Sequence, residues 1–162
     1  MSIEKVRKYF AEYGMEDKIL EFSVSSATVE LAAAALGCEG ARIAKSLSLM
    51  TGDGPILIIT AGDTKIDNSK YKHTFGQKAR MLAFDEVEKL IGHGVGGVCP
   101  FAVNEGVRVY LDESLKRFET VFPAAGSANS AIELTPRELE KYSSSLVGWV
   151  DVCKPYDTPA AE

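Results

Sequence analysis

The 162-residue chain has the length of one domain, and its composition, with 46% apolar and 25% charged residues, is that of a globular protein. Its formal net charge of −5 excludes a histone-like protein that coats nucleic acid with uniform positive charge. Three cysteines cannot all pair and no apolar leader follows Met1, which excludes a secreted disulfide scaffold. The longest apolar run, Pro55 to Ala61, is far shorter than the roughly 20 residues that span a bilayer. We expect a cytoplasmic protein with one domain over residues 1–153 and a flexible tail over 154–162.

The first half of the chain predicts two helices, a short strand and a hairpin. Apolar residues at helical spacing predict a helix from Ile3 to Tyr13, and Ile19–Val24 has the composition of a strand. Thr28 is a suitable N-cap for a second, alanine-rich helix that Gly37 ends. After it, Lys45 opens a strand over 46–50, and a turn over 52–55 leads to a second strand over 56–60. The two strands should form an antiparallel hairpin, with the second covered on both faces.

The second half adds two helices and three strands. The predicted elements are a helix through Leu90 with a capping box of Asp85 and Glu88, strands at Val107–Leu111 and Thr120–Ala124, a helix begun by Thr135-Pro136-Arg137-Glu138, and a last strand at Val147–Val152. Helices and strands alternate irregularly. The sequence therefore predicts a mixed α/β fold with an antiparallel component.

A glycine-rich segment over residues 92–101 is the first candidate site. Its glycines allow close approach to a ligand, and its amides could form an anion-binding nest or an oxyanion hole. The alternative is a mobile connecting loop. Pro100 restricts Cys99, so the exit of the loop should be rigid while its entry is flexible.

Two further side chains have a chemical and a structural interpretation. Lys45 lies among apolar neighbours, where it could bind a phosphate or ribose, or simply extend its ammonium group to the surface. Cys99 with His93 could be a nucleophilic pair, or the thiol could be a small buried apolar group. Cys38 and Cys153 lack partners at metal-ligand spacing, so we expect no metal site and no cofactor.

Residues 65–80 are basic although the protein is acidic. Five cations against Asp67 give this segment a charge of 5 − 1 = +4, which leaves 13 − 22 = −9 for the other residues. With Tyr71, His73 and Phe75 interleaved, the segment could bind RNA, or it could be a solvated helix face. The cations are Lys65, Lys70, Lys72, Lys78 and Arg80. A small, polar segment over 124–130 could line a pocket or form an ordinary turn.

Three segments, in this order, together resemble the YbaK/prolyl-tRNA synthetase-associated domain family of aminoacyl-tRNA editing domains. They are TVELAAAALGCEGARIAKSLSL, GGVCPF and VFPAAGSANSAIELTPREL, and the resemblance covers roughly residues 20–150. It implies an α/β fold with a mixed, largely antiparallel, partly barrel-like sheet flanked by helices. It also implies hydrolysis of the ester that joins a wrong amino acid to tRNA.

The resemblance assigns roles to individual residues. Lys45 matches the family's essential lysine, which faces the end of the tRNA. Gly96 and Pro100 match a Gly-x-x-x-Pro loop near the scissile ester, so the candidate catalytic residues are Lys45, Gly96, Gly97, Val98, Cys99 and Pro100. The candidate substrate-binding residues are Ser127, Asn129, Ser130 and Phe101, and the five cations above are candidate tRNA ligands. The chain departs from the family at Cys99, where a small residue such as serine is common, and after Leu134, where Arg137 and Glu138 stand near a position that is aspartate in some members.

The residues and the resemblance lead to one hypothesis, a trans-editing deacylase for tRNA mischarged with Cys, Ala, Ser or Thr, with tRNA-Pro among the carriers. Its partners would be tRNA and an aminoacyl-tRNA synthetase, and it would act without a membrane. No protein base is evident, so water would be activated by a tRNA hydroxyl or another substrate group. Two alternatives are a non-catalytic aminoacyl-tRNA or protein binding module, and a cysteine hydrolase that uses Cys99.

Overall fold

A curled five-stranded mixed sheet forms a half-barrel at the centre of the computed structural model, which describes residues 2–156 apart from the side chain of Ser2. The helices are α1 (Ser2–Ala11), α2 (Val29–Leu36), α3 (Asn68–Phe75), α4 (Phe84–Ile91) and α5 (Pro136–Tyr142). The strands are β1 (Ile19–Glu21), β2 (Ile43–Thr51), β3 (Gly54–Ala61), β4 (Thr64–Ile66), β5 (Arg108–Asp112), β6 (Phe122–Pro123), β7 (Ser130–Ile132), β8 (Leu146–Val150) and β9 (Cys153–Pro155). The predicted α/β fold is confirmed.

The strand order of the main sheet is β6-β2-β3-β5-β8. The predicted hairpin is its antiparallel pair, β2 with β3, and the other three pairings are parallel. Two small two-stranded sheets, β1 with β7 and β4 with β9, are also antiparallel, as are three isolated bridges within residues 2–156. Parallel pairs therefore have a larger share of the main sheet than the resemblance implied.

The sheet has a hydrophobic core on each face, because side chains alternate along β3. Leu57 and Ile59 pack with α1, α4 and α5, while Ile56 and Ile58 pack with Tyr71 of α3 and with Cys153. All of these side chains are buried, as predicted for a strand that is covered on both sides. A third, smaller cluster joins Ala32 of α2 to Ile43 and Phe122 at one edge of the sheet.

Three of the predicted helix boundaries agree with the structure. Thr28 caps α2, Gly37 ends that helix in the left-handed conformation, and Thr135 with Glu138 forms the capping box of α5. The predicted box of Asp85 and Glu88 is wrong. The chain enters α4 two residues earlier, where the Ala83 N–H donates to the Glu86 carboxylate.

The end of the described chain also differs from the prediction. Lys154 and Pro155, which we expected in a flexible tail, belong to β9 and pair with Lys65 and Thr64 of β4. The other tail residues after Tyr156, 157–162, lie outside the described residues. Within residues 2–156, none of the helices has the length and apolar character needed to cross a membrane.

Tyr71 offers a test of the packing on the α3 side of the sheet. Its ring is fully buried, and its hydroxyl has no hydrogen-bond partner among the described residues. A buried hydroxyl without a partner costs about 1–3 kcal/mol. Tyr71→Phe should therefore leave the free energy of unfolding unchanged or raise it, as measured by urea denaturation.

The matched control for this prediction is Tyr9→Phe. The Tyr9 hydroxyl donates to the Tyr142 carbonyl at 2.6 Å, so its removal should lower the free energy of unfolding by about 1 kcal/mol. A loss for Tyr71→Phe as large as that for Tyr9→Phe would show that the Tyr71 hydroxyl has a bonding partner.

Candidate functional site

The site begins at a gap along the outer edge of β2. At one end β6 pairs only with Ile43 and Ala44, and at the other the segment over 80–82 bonds to Ser48 and Met50. In an antiparallel pair, alternate residues direct their N–H and C=O groups away from the partner strand. The backbone groups of Ser48 and Met50 point away from β3, since they bond to residues 80–82. By the same alternation, the N–H and C=O of Ser46 point into the gap between β6 and residues 80–82.

A cavity of about 290 Å³ lies at this gap. Its walls come from the segment that enters α2, from β2, from residues 81–82 with Val87 of α4, from the glycine-rich loop, and from the end of β6 with β7. Most wall residues are small or apolar, and the volume is near the lower limit of about 300 Å³ for small-molecule pockets. The wall residues are Ser26, Ala27, Thr28, Val29, Ala32, Ile43, Ala44, Lys45, Ser46, Ser48, Met81, Leu82, Val87, Val95, Gly96, Val98, Phe122, Ala124, Ser130 and Ala131.

Two hydroxyl groups in the cavity wall have no hydrogen-bond partner among the described residues. The Oγ atoms of Ser26 and Ser46 are both buried and unpaired, and Ser26 as a whole is 8% exposed. Such groups are uncommon in native proteins, because each loses its bonds to water without replacement. Both residues belong to the cavity wall.

The glycine-rich loop packs against the segment over 126–128. A Cβ on Gly97 would lie 2.6 Å from the Ser127 nitrogen, and one on Gly96 would lie 3.2 Å from the Cβ atoms of Ala27 and Ala128. Gly96 also has a φ of +94°, which disfavours other residues. Glycine is therefore required at both positions, by close approach at Gly97 and by conformation at Gly96.

Hydrogen bonds hold this loop at both ends. His93 Nε2 lies 2.7 Å from the Phe101 carbonyl oxygen, the Ser144 N–H donates to the Pro100 carbonyl, and the Gly97 N–H donates to the Gly94 carbonyl. Burial lowers the pKa of His93, so the ring is neutral and Nε2 is the donor to Phe101. The entry of the loop is thus as well anchored as its exit, contrary to the predicted flexible entry.

Only part of the predicted oxyanion hole is available. The Gly97 N–H is already bonded within the loop. The N–H groups of Gly96 and Val98 donate to no acceptor in the part of the chain that the structure describes, and both residues line the cavity. Both amides are therefore donors that the loop can offer to a ligand.

The side chains of Cys99 and Phe101 lie in the hydrophobic core and are not part of the cavity wall. Phe101 is fully buried, with its ring centroid 4.7 Å from that of Phe10. Burial raises the pKa of the fully enclosed Cys99 thiol to about 12, and its Sγ lies 3.6 Å from His93 Nε2. A thiol of this kind is not a nucleophile at neutral pH. Pro100, also buried, positions the loop through its carbonyl.

Of the predicted polar residues over 127–130, only Ser130 lines the cavity. Asn129 holds the segment that follows β1, because its Nδ2 donates to the Phe22 carbonyl at 3.0 Å. The Ser127 hydroxyl donates to Asn129 Oδ1 at 2.9 Å and lies 2.7 Å from the Ser130 hydroxyl, from which it can accept. Ser127 and Asn129 therefore position the wall, whereas Ser26, which no sequence motif singles out, lines the cavity. The Ser26 N–H donates to the Ala128 carbonyl, and no local sequence pattern predicts this contact between distant segments.

Lys45 lies within β2 rather than at its start, and it contributes to the same cavity as Gly96. It alternates with Ser46, so its side chain leaves the strand on the other face of the sheet. Its ammonium group donates to the Thr64 carbonyl and, at 3.1 Å, to the Tyr156 hydroxyl. Lys45 and the glycine-rich loop therefore both border the cavity, while the Lys45 ammonium group is bonded to Thr64 and Tyr156.

The cations of the basic segment belong to different elements and have different surroundings. Lys70 pairs with Asp151, while Lys65 lies on β4 near Tyr156 and Lys72 is exposed on α3. Lys78 and Arg80 are exposed on the stretch that leads to the cavity residue Met81. Tyr71 and Phe75 are part of the core on that face, so they cannot stack on RNA bases.

A family model described as an aminoacyl-tRNA editing domain matches residues 24–142, which include the β2 gap, the glycine-rich loop and every residue of the cavity wall. The chain belongs to the aminoacyl-tRNA editing domain family. Among described residues of this editing domain, no group of three or more His, Cys, Asp or Glu side chains is placed to hold a metal ion.

Relatives of the editing domain occur alone and within larger proteins. YwhH of Bacillus subtilis, a protein of uncharacterised function, is 56% identical over 158 residues, which are 97% of this chain and 100% of YwhH. A proline–tRNA ligase of Halalkalibacterium halodurans is 31% identical over 103 residues, 63% of this chain but 18% of the ligase. A crystal structure of a protein proposed to be a trans-editing enzyme for prolyl-tRNA synthetase superimposes with a TM-score of 0.83 at 29% identity, over 94% of this chain and 97% of that one.

The packing of the loop predicts different outcomes at two glycines. Gly97→Ala places a Cβ 2.6–2.7 Å from backbone atoms of residues 126–127, and it should lower the free energy of unfolding by about 1–3 kcal/mol. In Gly94→Ala the nearest atom is the flexible Glu88 carboxylate at 3.7 Å, so we expect a change below about 0.5 kcal/mol. Urea denaturation measures both, and equal effects would contradict the described contact.

The cysteine-hydrolase alternative predicts a reactive Cys99, whereas the structure predicts an inert one. With a pKa of about 12, roughly one Cys99 in ten thousand is ionised at pH 8. Iodoacetamide should therefore modify the half-buried Cys38 first and leave Cys99 unlabelled in the folded protein. Mass spectrometry of labelled peptides gives the order, and rapid labelling of Cys99 would restore the nucleophile hypothesis.

Proposed function

We propose that the protein is a trans-acting deacylase that hydrolyses the ester of tRNA mischarged with a small amino acid, with tRNA-Pro among the carriers. The observation that supports this most strongly is the small cavity whose wall contains two buried, unpaired hydroxyl groups beside free backbone donors. Membership of the editing family and similarity to a proline–tRNA ligase favour this chemistry and this carrier.

The aminoacyl group would occupy the cavity and bond to Ser26 and Ser46. Each hydroxyl is both a donor and an acceptor, so it can bind an ammonium group or a carbonyl oxygen. The N–H and C=O of Ser46 at the open edge of β2 add a further donor and acceptor. An aminoacyl ester presents both kinds of group within a few atoms of each other.

The glycine-rich loop would stabilise the transition state. Ester hydrolysis passes through a tetrahedral intermediate with negative charge on the former carbonyl oxygen. The N–H groups of Gly96 and Val98 are held by a rigid loop at the cavity wall, and loss of one such donor typically costs about 10²–10³ in rate. Gly97 and Pro100 contribute by fixing the loop rather than by contact with the substrate.

Lys45 would bind the terminal nucleotide of the tRNA through its phosphate or ribose. This contact would hold the ester against the loop. Lys78 and Arg80 would attract the acceptor stem toward the cavity, with Lys65 and Lys72 at a greater distance. Lys70 contributes less because Asp151 offsets its charge.

The attacking water would be activated by the substrate itself. Along the wall formed by described residues, no side chain is a carboxylate or an imidazole. A hydroxyl of the terminal ribose or the substrate amino group would take the role of base. Selectivity would come from the size of the cavity, since an amino acid too large for it is excluded by steric overlap. Preferential binding of the larger of two amino acids would discriminate less, because one methylene group is worth only about 1–3 kcal/mol in binding.

A deacylation assay on tRNA-Pro charged with Ala, Cys, Ser, Thr or Pro tests the proposal. We expect wild type to release at least one of the four small amino acids faster than proline. Lys45→Ala should lower kcat/KM about 10- to 100-fold, since a hydrogen bond to a charged group is worth about 1.5–3 kcal/mol. The matched control is Lys141→Ala, which removes an exposed lysine of α5 outside the cavity wall and should leave the rate unchanged.

Two results would contradict the proposal in different ways. Equal rates for wild type and Lys45→Ala would remove Lys45 from the site. Retention of aminoacyl-tRNA in a filter-binding assay without release of any amino acid would indicate the non-catalytic binding module.

A further inference from the structure

Tyr156 lies beyond the 24–142 segment that matches the editing family, yet it contacts the lysine of the proposed site. Its hydroxyl oxygen accepts a hydrogen bond from Lys45 Nζ at 3.1 Å, and its ring centroid lies 4.8 Å from the same nitrogen. Lys65 Nζ lies 5.9 Å from this centroid. One aromatic ring therefore lies within cation–π distance of two lysines.

The backbone fixes the place of Tyr156. The preceding strand β9 pairs with β4 from Ile66 to Thr64, and the Tyr156 N–H donates to the Asp63 carbonyl at 3.2 Å. Thr64, whose carbonyl is the second acceptor for Lys45, belongs to the same β4 strand. Both acceptors of the ammonium group are thus placed by a single antiparallel pairing.

The charge of Lys45 is held by neutral oxygens. Lys70 and Lys116 each pair with a carboxylate, and the carboxylate of the nearby Asp63 is bonded to Arg117 at 2.6 Å. Within residues 2–156, Lys45 forms no ion pair. An ammonium group has three N–H donors, and two of them are directed to Thr64 and Tyr156. Lys45 therefore retains one donor and its full charge for an anionic ligand.

We propose that Tyr156 is a positioning residue that holds the Lys45 ammonium group where it binds the phosphate or ribose of a nucleotide. Lysine side chains lose considerable rotamer freedom when they are fixed, and a prearranged ammonium group avoids that cost on binding. Loss of the Tyr156 hydroxyl gives the Lys45 side chain more conformational freedom, while the positive charge of Lys45 remains. The kinetic part of this inference rests on the proposed deacylase function, whereas the contact itself can be tested without it.

The first experiment measures the reactivity of Lys45 in the absence of substrate. Trace acetylation followed by mass spectrometry gives the rate at Lys45 relative to Lys141 in the same sample. Tyr156→Phe keeps the ring and removes the hydroxyl, and it should raise this ratio about threefold. The matched control is Tyr13→Phe, near α1. Tyr13 is 49% exposed and Tyr156 is 53% exposed, so this variant should leave the acetylation ratio of Lys45 to Lys141 unchanged.

The second experiment compares the variants in the deacylation assay. Tyr156→Phe should raise KM about threefold with little change in kcat, and it should have no further effect when Lys45 is already alanine. An effect of Tyr156→Phe that persists in the Lys45→Ala background would contradict positioning through Lys45. An unchanged acetylation ratio would contradict the contact itself. If no variant deacylates any substrate, the proposed function fails, and the acetylation ratio still decides whether Tyr156 holds Lys45.

Discussion

The site depends on one feature of the sheet, the short pairing between β2 and β6. Pro123 has no N–H to continue a ladder, and the next residue, Ala124, bridges to Ala131 instead. Beyond Ala44 the outer edge of β2 is therefore open until residues 80–82 reach it. An open edge inside a fold leaves backbone polar groups that need a partner. The cavity lies at this gap, and Ser26 and Ser46, whose hydroxyls are unpaired, are among the residues that line it.

The walls around the gap are arranged by close backbone contacts rather than by long side chains. Gly97 lies directly against the backbone of residues 126–127, and Asn129 ties the same segment to Phe22. The glycine-rich loop, the segment that enters α2 and the turn before β7 therefore form one rigid unit. Such an arrangement suits a site whose ligand is discriminated by size, because a wall that yields would admit a larger group.

Local patterns predicted most of the fold. The hairpin of β2 and β3, the caps at Thr28 and Thr135, and the cover on both faces of β3 were all readable from residue types a few positions apart. The α4 capping box was misplaced by two residues because Glu86 and Glu88 are equally suitable partners in sequence. The contributions of β9, Ser26 and Asn129 depend on pairings between distant segments, and no local pattern encodes those. The burial of Cys99 and Phe101 could not be predicted either, because both residues lie in the glycine-rich segment although their side chains are in the core.

The central claim is that the aminoacyl end of a tRNA binds in the cavity at the open edge of β2. The most direct measurement is an NMR titration of the isotopically labelled protein with an adenosine that carries a small amino acid through a non-hydrolysable 3′-amide. The account predicts saturable shifts of the backbone amide signals of Ser46, Gly96 and Val98, with no shift at Ser69 or Thr74 on α3. Saturable binding that shifts the α3 signals and leaves those of the cavity unchanged would contradict it.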